Sequence, residues 1–86
     1  MPRLAAFYGI VVYMYSREHG IAHFHARYGD AEAVIDIAGG VILEGRLPPR
    51  RAALVLEWAE IHRDELLAAW ERAGRGEPPG TIDPLP

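Results

Sequence analysis

The chain has no cysteine and no lysine; its nine basic residues are all arginine. Without cysteine there is no disulfide scaffold, no Cys-ligated zinc or iron–sulfur centre and no thiolate nucleophile. Without lysine there is no Schiff-base chemistry and no P-loop. No run approaches the ~20 apolar residues of a membrane span. The apolar stretch Phe7–Tyr15 is short, and no small-residue cleavage site follows it. The expectation is therefore a cytoplasmic chain with no membrane role. A net charge of −3 argues against a strongly cationic nucleic-acid binder. The 86 residues, 50% of them hydrophobic, fit one domain.

Arginine, carboxylate, hydroxyl and imidazole remain, and they are unevenly spread. Residues 1–28 hold Arg3, Arg17 and Arg27 against Glu18 alone, with three of the four histidines. The remainder holds six arginines and eleven acids. A basic, histidine-bearing N-terminal part suits an anionic substrate or partner, although ordinary surface scatter is the commoner cause of such a split.

The pattern predicts an α+β fold: a three- to four-stranded, mostly antiparallel N-terminal β-meander, then one long C-terminal helix packed on one face. Gly9–Tyr15 is β-branched and aromatic and reads as the first strand. It is apolar on both faces, which suits a central or partner-covered strand. His23–Tyr28 and Ala31–Ile37 flank Gly29-Asp30, a two-residue hairpin signal. That loop sets the register: His23 faces Asp36, His25 faces Val34, and Arg27 faces Glu32. Val41–Glu44 follows the Gly39-Gly40 turn as a short last strand. Pro48-Pro49 leads into a helix over Arg50–Ala73, whose apolar stripe includes Val55, Ala59, His62, Leu66 and Ala69. Gly74 terminates it. The domain is placed at 1–75, and 76–86 is a Pro-rich extended tail in which Ile82 and Leu85 can dock on the sheet or on a partner. A chain of this size buries only about 60–65% of its unfolded surface. With a strand apolar on both faces, that points to a homodimer or hetero-oligomer.

The chemistry concentrates in His19-x-x-x-His23-x-His25. Alternation on a strand projects His23 and His25 from one face, a frame for a metal. His19 from the loop and Asp36 across the ladder are the candidate further ligands, with Zn or Ni as the ion. Asp36 can instead accept a hydrogen bond from His23 and so orient its ring. The alternative needs no metal: His23 and His25 as base and acid, Arg27 as a phosphate anchor, and Tyr28 or His19 assisting. That is the minimum for cleaving RNA through its 2′-hydroxyl, as a metal-independent endoribonuclease. The bland reading is a solvated hairpin face with ordinary His23–Asp36 and Arg27–Glu32 cross-strand pairs. His62, on the apolar stripe, reads as a hydrogen-bonded core histidine. Arg50 and Arg51 open the helix where the dipole disfavours cations, so they are either solvated or meet an anion or acidic partner.

Several stretches are similar to the small bacterial family DUF4160. They are His-Phe-His-Ala-Arg-Tyr-Gly at 23–29, Ala-Val-Ile-Asp-Ile at 33–37, Leu-Glu-Gly-x-Leu-Pro-Pro-Arg at 43–50 and Leu-Glu-Trp-Ala-Glu-x-His-Arg-Asp-Glu-Leu at 56–66. His23, His25, Tyr28 and His62 match the family's motifs. Members tend to carry prolines just before the His-Phe-His; here Gly20-Ile21-Ala22 stands there, which weakens His19 as a ligand. The resemblance implies a partner, a small DUF2442-type protein, in a toxin–antitoxin-like arrangement. The expected role is the toxin of such a module, cleaving or binding RNA. The alternatives are a non-catalytic Zn/Ni-binding or partner-binding module, or the antitoxin or regulator of the pair.

Overall fold

The structure is a computed structural model and describes residues 2–86. Five strands precede two helices: β1 (Arg3–Phe7), β2 (Ile10–Tyr13), β3 (His23–Tyr28), β4 (Ala31–Asp36), β5 (Val41–Gly45), α1 (Pro49–Ile61) and α2 (Arg63–Gly74). The strands form one antiparallel sheet in chain order, β1-β2-β3-β4-β5. The α+β class and the meander hold; the strand count and the single helix do not.

The extra strand, β1, carries no β-branched residue, so its sequence gave little strand signal. Gly9 belongs to a tight turn rather than to the start of a strand: Tyr8 and Gly9 both take positive φ, 51° and 79°, between paired Phe7 and Ile10. Two left-handed residues are what a type I′ hairpin needs, and tyrosine is a poor advertisement for one. The β3–β4 hairpin forms in the expected register, from His23↔Asp36 to Tyr28↔Ala31, around Gly29 at φ 60°.

The long helix divides at His62, whose ψ of 24° leaves helical geometry. The apolar stripe continues across the break, with Val55, Trp58 and Ala59 buried on α1 and Leu66, Ala69 and Ala73 on α2. Asp64 and Glu65 occupy the first turn of α2, where carboxylates suit the positive end of the helix dipole. Within an unbroken stripe these start signals look like an exposed acidic face. The His62 imidazole hydrogen-bonds Glu65 and lies against Trp58, which agrees with a hydrogen-bonded histidine of the packing.

Both helices cover one face of the sheet. Trp58 is the hub, fully buried, with the rings of Phe7 and Phe24 at 5.4 and 5.6 Å. The tail also contributes to the fold. Ile82 N–H donates to Leu4 O at 2.9 Å, Trp58 Nε1–H to Asp83 O at 2.8 Å, and the Tyr8 hydroxyl to Pro86 O at 2.6 Å. Pro79 and Ile82 are buried. The outer edge of β1 is thus covered by the chain's own end, one of the recognised ways of protecting an edge strand. No helix among the described residues is long and apolar enough to cross a membrane.

Gly45 has φ 76°, and a Cβ there would collide with Glu32 O on β4. Gly45→Ala is expected to lower unfolding stability by about 1–3 kcal/mol, measured by denaturant titration; an unchanged midpoint would show that β5 does not approach β4 this closely.

Candidate functional site

Alternation along β3 sends Phe24, Ala26 and Tyr28 toward the helices and His23, His25 and Arg27 to the opposite face. Tyr28 is therefore separated from the imidazoles. Its hydroxyl accepts a hydrogen bond from Arg51 at 3.2 Å, and the Arg51 guanidinium lies 4.6 Å from its ring centre. Arg51, at the start of α1, thus stacks on Tyr28, while its Nε is buried without a partner.

The decisive group on the open side is Glu18, from the loop before β3. Its Oε1 lies 3.1 Å from His23 Nε2 and 3.2 Å from His25 Nε2. One ligand-capable atom from each of the three residues falls within 4.8 Å of the others. The expected further ligands are elsewhere. His19 is exposed and outside the group. Asp36 pairs with His23 in register, but its Oδ1 accepts the Gly39 N–H at 3.0 Å, committing the carboxylate to the β4–β5 turn.

The loop before β3 is tethered so that Glu18 turns inward. Arg17 takes a left-handed φ of 62°, and its N–H donates to Ala73 O at 2.9 Å. That carbonyl lies in the last turn of α2, where oxygens lack an intrahelical partner. A non-glycine residue in this conformation is held there by its surroundings, and the residue it presents next is Glu18.

Hydrogen bonding also fixes a tautomer. His23 Nδ1 lies 2.8 Å from Ile21 O, an atom that can only accept, so Nδ1 carries a hydrogen. A neutral His23 then turns the bare lone pair of Nε2 toward the oxygen of Glu18. Two acceptors do not hold each other at 3.1 Å unless a proton, carried by either partner, or a metal ion lies between them. His25 differs, since its buried Nδ1 has no partner.

Aromatic rings wall in the group. Tyr13 stacks on His25 at 5.2 Å, Tyr15 meets it edge-on at 4.8 Å, and Trp70 of α2 lies 4.9 Å from His23. Tyr13, on β2, reaches across β3, and its hydroxyl donates to Glu32 Oε2 on β4 at 2.7 Å. The Arg27 guanidinium lies 6.0 Å from the centre of the same ring. Neither expected cross-strand pair forms: Glu32 turns to Tyr13 and Asp36 to its own turn. Arg27 is exposed and, among the described residues, makes no ion pair.

Glu18, Tyr13, Tyr15 and Trp70 join the site beyond the residues assigned to it from the sequence. Only Glu18 left a sequence signal, as the sole acid before Asp30, five residues ahead of His23 and seven ahead of His25. Tyr13 and Trp70 depend on packing across a long loop and between layers, which periodicity does not encode.

Burial, then the Glu32 hydrogen bond, then the Glu32 charge push the Tyr13 phenol well above its ordinary value of 10.0. With the folded-state pKa above the unfolded one, the unfolded chain releases this proton first, so folding stability falls as pH rises above 10. In an ultraviolet titration, one of the four tyrosines is expected to ionise only as the fold is lost. Tyr13→Phe should remove that late component; its persistence would refute the assignment.

A family model described as a domain of unknown function, DUF4160, matches residues 9–71. No curated protein and no solved structure matches the chain. The matched span includes Glu18, His23, His25, the β3–β4 hairpin and most of the helical stripe, and over that span this chain belongs to the DUF4160 family.

Proposed function

We propose that this domain binds a divalent transition-metal ion through Glu18, His23 and His25. The observation that carries the reading is the His23 tautomer. Its Nδ1–H donates to a backbone carbonyl, as the far nitrogen of a metal-bound histidine usually does, and its Nε2 faces a carboxylate oxygen. Two ligands at ~2.0–2.1 Å from a tetrahedral ion stand about 3.3 Å apart. The Glu18–His23 and Glu18–His25 separations of 3.1 and 3.2 Å are close to that. Imidazole and carboxylate without thiolate suit Zn or Ni. Three protein ligands leave a coordination position open, as in catalytic zinc sites.

One feature tempers the affinity. When His25 Nε2 ligates, its Nδ1–H has no acceptor, and loss of the hydrogen bond that orients a ligating histidine typically lowers metal affinity by about 10–100-fold. The test is elemental analysis and titration of untagged protein with zinc and nickel. One ion per chain is expected, with binding lost in Glu18→Ala and His25→Ala at unchanged circular dichroism. At 100 times Kd the ion should stabilise the fold by about 2.7 kcal/mol. Failure of the wild-type chain to take up either ion, or a Glu18→Ala variant that binds equally well, would overturn the reading.

A second reading keeps the imidazoles and omits the ion. A carboxylate shared by two histidines suits proton transfer, and the exposed Arg27 suits a phosphate, so RNA cleavage by the toxin of a two-protein module stands as the alternative. Tyr28 has no part in it. It requires RNA cleavage by the untagged chain with a chelator present, abolished in His23→Ala and His25→Ala. No cleavage under those conditions would sink it.

A further inference from the structure

Glu18, His23 and His25 supply three ligands, and no further ligand-bearing side chain among the described residues joins them. The surface hollows around Leu47–Pro49, Ile61–Glu65 and the β4–β5 edge do not include these residues. The surroundings of the group are instead apolar and outward-facing. Ile21, whose carbonyl orients His23, is 60% exposed, and Tyr15, edge-on to His25, is 39% exposed. Such residues beside an incomplete coordination sphere suit a macromolecular contact better than a small substrate.

The chain carries one histidine beside the cluster that the cluster does not use. His19 directly follows Glu18, is exposed and stays outside its own cluster. In a two-fold contact each residue pairing occurs twice. A loop that presents a cluster and an outward histidine side by side is therefore self-complementary. We propose that, with zinc bound, two copies of this chain associate through the loop Tyr15–Ala22, the partner subunit's His19 filling the open position on each ion. Each ion is then held by Glu18, His23, His25 and one imidazole from across the interface. This closes a four-ligand tetrahedral site of the structural type, while Ile21 and Tyr15 are covered by their symmetry mates. The inference rests on the metal reading above and adds to it the partner and the fourth ligand.

Light scattering on untagged full-length protein, with and without one equivalent of zinc, tests it alongside metal analysis of the eluted peak. A species near 9.5 kDa should double in mass on zinc addition, carry two ions per dimer and revert with chelator. His19→Ala should still bind zinc, more weakly, and stay at the single mass; His19→Asp, which restores a ligand, should dimerise again. One zinc per chain with no change of mass would overturn the dimer and leave the three-ligand site standing. So would a His19→Ala variant that dimerises like the wild type. Absence of zinc uptake by the wild type would overturn both.

Discussion

A carboxylate oxygen within 3.2 Å of two imidazole nitrogens is a constraint the rest of the open face answers to. Three groups that each prefer water are brought together with side chains only 14%, 11% and 31% exposed for His23, His25 and Glu18. Burying polar atoms is unfavourable unless they are paired, and the surroundings supply pairing at each step. Ile21 O fixes one ring, and Arg17 N–H bonded to the end of α2 fixes the loop. Tyr13 and Tyr15 close over the other ring. Within the cluster, His25 Nδ1 is left without a partner.

The two faces of the sheet therefore divide the labour. The helix face is apolar and organised around Trp58, and it gives the domain its stability. The open face uses β3 as a rigid mount for two imidazoles and a backbone-tethered loop for the carboxylate. α2 serves both: its stripe packs into the core, Trp70 lies against His23, and its last turn anchors Arg17. The tail that covers β1 continues from that same turn, so the site loop and the C-terminal segment share one anchor point on the helix.

What the sequence made legible was local. The β3–β4 register followed from a two-residue turn and came out residue for residue, because hairpin geometry is set by its loop. That register puts His23 and His25 on one face and Tyr28 on the other. The failures lie where distant segments meet. Glu18 reaches the histidines only because Arg17 bonds to α2, and Asp36 is lost to a turn that needs its carboxylate. The helix break at His62 was hidden by a stripe that runs straight through it. Arg27 shares the face of His23 and His25, and its guanidinium lies near the Tyr13 ring, a contact that strand parity cannot show.

Whether a cation other than a proton belongs between Glu18 and His23 is the central claim, and X-ray absorption at the zinc edge addresses it without reference to activity. With one equivalent of zinc on the untagged chain, the account predicts a nitrogen and oxygen shell at ~2.0–2.1 Å with the outer-shell pattern of imidazole rings, lost in His25→Ala. A spectrum of hydrated zinc without imidazole scattering would contradict it.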